Sequence, residues 1–303
     1  MNIAFQEKTS ENRLSASLAN DRGIGRNSIF YPQGTILLIL ICLLYGHVAA
    51  NLVRQWIADP NYSHGFFVPL GCGLLLWTSR KSWLGKPLRP SDSGLLFVVA
   101  AIGMLVVGTL GAEIFLSRAS LVVLLGGLLV YFAGWPMLGA VKVPWLALFL
   151  MIPLPVIVFN EFAFPLQLLA SRLACALLDV LQIPVLREGN IIMLPSMSLD
   201  VVEACSGLRS LMSLITVAVL YSLFFERRTW MRCLLILLAV PVAVLANALR
   251  IVLTALLARY VNVEFAEGFF HALSGLVLFV LSFGVLAAFH ALGARFTRSR
   301  MAA

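Results

Sequence analysis

Three side chains with reactive or ionisable groups stand where long apolar runs begin or end: Cys205 in E-A-C-S-G-L-R-S, Arg250 in N-A-L-R and His271 in F-F-H-A-L-S-G. Ionisable groups are costly in hydrocarbon, so each is a candidate for function. A cysteine entering a helix has its thiolate favoured by free backbone N–H groups and by the positive end of the helix dipole. Arg209, four residues on, shares that helix face and adds positive potential, while Glu203 and Ser206 flank the thiol as supporting candidates. Arg250 stays charged at any relevant pH, and Asn247, one turn earlier, is placed to hold its fork. His271 is available for proton transfer, and Gly275 one turn later lets a neighbouring helix approach. His64, in Y-S-H-G-F, is a fourth candidate that could orient substrate. Singly, each has a plainer reading: a small buried thiol, a snorkelling arginine, a structural hydrogen-bonding histidine. Together, a nucleophile, a fixed cation and a base at consecutive helix ends suit acyl transfer. The thiolate attacks a carbonyl, Arg250 or backbone donors stabilise the oxyanion, and His271 moves the proton. The residues alone leave open whether the acceptor is water, an amine or a hydroxyl.

The elements that must position this set are membrane spans. Of 303 residues 61% are hydrophobic and 12% charged, a balance no water-soluble domain of this size needs. The net charge of +8 is scattered in short groups between apolar runs, which argues against nucleic acid and for membrane topology. Five cysteines without CxxC spacing indicate neither a zinc site nor a disulfide framework, and no metal or cofactor is expected. Residues 1–33 read as a polar cytoplasmic tail and 34–303 as one membrane domain, whose first apolar run, from near Gly34, reads as a signal anchor. Apolar runs lie near 35–53, 66–79, 93–111, 118–134, 143–159, 207–225, 233–257 and 271–291, giving an all-α polytopic protein of about eight spans. With both termini inside, fifteen Lys and Arg fall in cytoplasmic segments against five outside. A ninth run, 162–180, carries Arg172, Asp179 and Pro165, and making it a span would erode that bias. It is therefore expected to lie flat on the outer face as an amphipathic helix. The alternating S-M-S-L-D-V and the Gly189-Asn190 pair predict a small β-like hairpin between spans five and six. Cys205, Arg250 and His271 then meet at the outer boundary.

At these residues the chain resembles the exosortase and archaeosortase family of membrane transpeptidases. The matching segments are Y-S-H-G-F at 62–66, E-A-C-S-G-L-R-S-L at 203–211, N-A-L-R-I at 247–251 and H-A-L-S-G at 271–275, and with the spacing of the runs they cover nearly the whole membrane region. The resemblance places the family's Cys, Arg and His on Cys205, Arg250 and His271, with His in place of the archaeal branch's Arg favouring the bacterial branch. It implies a multi-pass enzyme of the cell inner membrane, its site facing the periplasm, in bacteria that make exopolysaccharide. Its partners would be membrane-anchored proteins with a C-terminal sorting tail: a Pro-Glu-Pro motif, a transmembrane helix and a basic end. It would cut near the motif through a thioester and pass the protein to a cell-surface acceptor. The competing readings are a transporter or flippase, an intramembrane protease using Ser206 and His271, and a non-catalytic partner for exopolysaccharide export. A transporter would put charged or broken helices near the bilayer midplane rather than at one face.

Overall fold

The computed structural model describes residues 34–194, 198–200, 207–262 and 269–302. Contacts divide the chain into two compact units, residues 1–51 and 52–303. In the first, the described part is the beginning of helix α1 (Gly34–Ala58), whose Leu38, Leu40 and Leu43 face outward and whose His47 ring meets the Asn51 amide at 2.8 Å.

The second unit continues through a 3₁₀ segment (Pro60–Phe66), α2 (Phe67–Thr78), α3 (Arg80–Leu84), α4 (Ser93–Leu110), α5 (Ile114–Ala133), α6 (Trp135–Ala147), a second 3₁₀ turn (Leu148–Met151) and α7 (Val156–Val180). Strands β1 (Leu186–Glu188), β2 (Ile191–Met193) and β3 (Ser198–Asp200) follow, then α8 (Gly207–Phe225), α9 (Thr229–Tyr260) and α10 (Phe269–Ala302). Among the described residues six helices are long and apolar enough to cross a membrane, and large apolar side chains face outward all along them, Leu110 at 84% exposure among them. In water that surface would be untenable; in lipid it is the solvated face.

The six do not map one to one onto the eight expected spans. α2 has only 12 residues, because the hydroxyls of Thr78 and Ser79 turn back onto the carbonyls of Leu74 and Leu75 and the chain kinks into α3. The run 143–159 is not one helix. It loosens into the 3₁₀ turn at Leu148–Met151 and breaks at Ile152–Pro155, where Pro153 and Pro155 cannot continue a helical ladder. Helix resumes as α7, which absorbs the 162–180 segment.

That segment corrects the sequence reading. α7 does not lie across the ends of the other helices but runs side by side with α9, in the same direction. Its early residues Ala163 and Gln167 meet Ala243 and Asn247, and its later Ala174 and Leu178 share a core with Ile251, Val252 and Ala255. Small residues along this seam, Ala170 and Ala174 against Ala248 and Ala255, permit close packing, so Arg172 and Asp179 are carried on the opposite face. The amphipathic pattern was real; its polar side faces away from a neighbouring helix.

The expected hairpin forms, with its turn at Gly189–Asn190 and pairs Arg187↔Ile192 and Glu188↔Ile191; β3 adds a third antiparallel strand through Ile192↔Leu199. Ile192, fully buried, anchors the sheet to the α7–α9 core.

Candidate functional site

α8, α9 and α10 form the frame on which the sequence candidates stand. α8 begins at Gly207, so the Cys205 segment leads directly into its N-terminus; Cys205, Ser206 and Glu203 themselves lie outside the described residues. Arg209 occupies the first turn of α8 and His271 the first turn of α10.

Arg250, on the third quarter of α9, has a side chain whose place is well defined by its neighbour. A Cβ built on Gly275 would lie 3.1 Å from Arg250 Nη2 and 3.2 Å from Cζ, so the guanidinium rests on the bare backbone of α10 one turn beyond His271. Any larger residue there would have to displace the fork. Asn247, expected to hold that fork, borders one small space with Arg250 and Gly275 and another, of about 20 Å³, with Gln167; its Oδ1 and Gln167 Nε2 are buried without a hydrogen-bond partner among the described residues. The Arg250 backbone carbonyl accepts from the Thr254 hydroxyl at 3.0 Å.

His64 reaches the same region from the other side. Asp59 caps the 3₁₀ segment by accepting from the Asn61 N–H, and Ser63 Oγ donates to the Pro60 carbonyl. Trp56 lies across the segment: its Nε1 donates to the Met151 carbonyl at 3.0 Å, its ring meets Phe66 edge-on, and a Cβ on Gly65 would collide with the indole at 2.3 Å. Gly65 is thus what lets Trp56 press the segment down and aim His64 inward. Burial lowers the pKa of His64, the Asn61 backbone partly opposing, so the imidazole is neutral at neutral pH, and its buried Nδ1 has no partner among the described residues. Close by, Arg118 in the first turns of α5 is buried and donates to Gln55.

His64, Ser63, Ser210, Ser213, Arg250 and Gly275 all line one cavity of about 490 Å³. The arrangement gathers a fixed cation, a neutral imidazole and several hydroxyls against the start of the helix that follows Cys205. Among the described residues no cluster of His, Cys, Asp or Glu could hold a metal ion.

A second polar cluster escaped the sequence reading. His290 accepts or donates at both nitrogens: Nδ1 to Tyr221 Oη at 2.9 Å and Nε2 to Glu226 Oε2 at 3.1 Å. Glu226 also accepts the N–H groups of Arg227 and Arg228 and lies at the other end of α8 from Cys205. Sixty-nine residues separate Tyr221 from His290, and no local spacing signals such a contact.

A multi-pass membrane protein whose helices border a cavity carrying Arg250, His64 and several serines is the class that fold and site define. The profile of the transmembrane exosortase family matches residues 56–288, and the chain belongs to that family, whose members are membrane transpeptidases of protein sorting. The match takes in the His64 segment, the Cys205 motif, Arg250 and His271. No curated protein and no solved structure matches the chain.

Proposed function

We propose that this protein is a cysteine transpeptidase that cleaves C-terminal sorting tails of membrane-anchored proteins at the periplasmic face of the inner membrane. Cys205 is the nucleophile. Its thiolate adds to the tail's amide carbonyl, Arg250 stabilises the oxyanion or grips the acidic group of the tail, and His271 donates a proton to the departing amine as the C–N bond breaks. The resulting thioester is then attacked by a nucleophile on a cell-surface acceptor; His271 takes that nucleophile's proton and the thiolate leaves. His64, neutral and facing the same cavity, orients the substrate.

The observation that carries this reading is the seating of Arg250 on Gly275, one turn past His271, inside the cavity that α8 borders with Ser210 just beyond the Cys205 motif. The test is a reporter protein carrying a Pro-Glu-Pro tail, a single apolar helix and a basic end, co-expressed with the enzyme. The wild type is expected to shorten the reporter and to form a hydroxylamine-sensitive adduct, and Cys205→Ala is expected to lose both. Processing that persists in Cys205→Ala would exclude the thiol mechanism.

A further inference from the structure

The cavity does not end at its polar groups. From Ser210 it descends along one face of α8 through Ser213 to Val217, seven residues or about 10 Å of helical rise, and its walls turn apolar: Phe67 at the start of α2 on one side, Leu276 and Phe279 of α10 on the other. Phe67 and Leu276 are 64% and 61% exposed, so these walls face both the cavity and the outside. The cavity is a cleft opening sideways, toward lipid, between α2 and α10, with α8 as its floor.

The splay has a visible cause. Lower down, α2 is held to α8 where Leu220 packs on Gly71, at 3.1 Å from where a Cβ would stand. At the same level α10 is held to α8 by the bonds from Tyr221 to His290 and His290 to Glu226, and by Tyr221 against Phe283 at 5.4 Å. Both flanking helices are therefore pinned to α8 at Leu220 and Tyr221, and above that point, among the described residues, no substantial packing joins α2 to α10. Two helices pinned at one end and unjoined at the other leave a wedge.

Resting on the transpeptidase reading above, we infer that this wedge is the lateral docking site for the first turn of the substrate's transmembrane helix, which enters between α2 and α10 and delivers the extended residues before it to Arg250 and His64. Three features favour a polypeptide helix over a lipid chain. One turn of helix about 10 Å across with a 5.4 Å pitch occupies roughly 420 Å³, close to the cavity's 490 Å³. The start of a helix has four backbone N–H groups without partners, and the hydroxyl oxygens of Ser63, Ser210 and Ser213 can accept them at the level where the apolar walls begin. The small side chains there and Gly275 allow the close backbone approach that helix association in lipid relies on. Arg250 is the cation at the polar end of the cavity, which suits an acidic residue in the segment preceding the helix.

A photoreactive benzoylphenylalanine placed at Phe67 or at Leu276, two outward positions that tolerate a bulky ring, tests the site in membranes containing the full-length enzyme. The probe is the tailed reporter described above, and Leu96 on α4, 70% exposed, is the control position. Crosslinks to the reporter's helix from both wedge positions, at least tenfold above those from Leu96, are expected. Reporter that is cleaved but crosslinks equally or better from Leu96 would overturn the wedge while leaving the transpeptidase reading intact. Crosslinks to lipid alone alongside cleavage would do the same. Reporter neither cleaved nor captured at any position would overturn both.

Discussion

At the residue scale, the sequence exposes what is chemically expensive and conceals what is merely close. Cys205, Arg250 and His271 are legible because an ionisable or nucleophilic group at the edge of an apolar run calls for an explanation. That Gly275 is a seat for the Arg250 fork rather than a helix contact is not legible, since only the fold brings the two together. Glycine inside a helix costs roughly 0.5–1 kcal/mol relative to alanine, so Gly275→Ala would be expected to stabilise α10 if packing were its only role. A methyl 3.1 Å from Nη2 must instead push the guanidinium by a few tenths of an ångström. Small displacements of a positioned group can cost up to about 10²-fold in rate when they reach 1 Å. Gly275→Ala is therefore expected to lower turnover of the tailed reporter by about tenfold while leaving the unfolding temperature unchanged or raised. Full activity in this variant would show that the seat is incidental.

At the scale of elements, hydrophobic runs locate helices well and their interruptions badly. The run 143–159 reads as continuous, yet Pro153 and Pro155 split it, and the amphipathic α7 reads as a surface helix when its apolar side is spent on α9. The hairpin was visible because turn chemistry at Gly189–Asn190 is local. The clasp between α8 and α10 was not, and it makes its own prediction. Burial raises the pKa of Glu226, but the N–H groups of Arg228 and Arg227 and the His290 ring outweigh it, holding the carboxyl below its ordinary value. A carboxyl so lowered binds fewer protons folded than unfolded. Its contribution is complete above the unfolded value, about 4.3, and is lost as pH falls through the lower folded value. Purified protein should therefore keep its unfolding temperature from pH 7 to about pH 5 as far as Glu226 is concerned and lose several degrees in more acid buffer. Glu226→Gln retains an acceptor for the two backbone N–H groups but removes the charge. It should cost about 1 kcal/mol at neutral pH and flatten the acid limb of the curve. An acid limb as steep in Glu226→Gln as in the wild type would assign the acid sensitivity to another group.

For the whole molecule, the distribution of Lys and Arg and the course of α7 have to agree on sidedness. The sequence argument against a ninth crossing was that it would swap the sides of every later loop and erode the bias of Lys and Arg toward the cytoplasm. The fold offers another way to satisfy it. α6 and its 3₁₀ turn end with Met151 and Ile152 packed in one core with Trp56, Val68 and Cys72. α7 starts from that break and continues beside α9; if the two pieces make one interrupted crossing, they replace the continuous fifth span and the flat helix together. On that arrangement the later loops would keep the sides that the positive charges assign to them, and Val180, next to the sheet, would lie nearer the outer face than Val156. Both ends of α7 are equally outward-facing, Ile157 at 79% and Val180 at 80%, so exposure to reagent depends on depth alone. In a variant with Cys42, Cys72, Cys175, Cys205 and Cys233 replaced by serine, a cysteine at Val180 should react with a membrane-impermeant maleimide added outside spheroplasts. One at Ile157 should react only after detergent is added. Equal labelling of the two in intact spheroplasts would restore the surface-lying helix and remove α7 from the crossing.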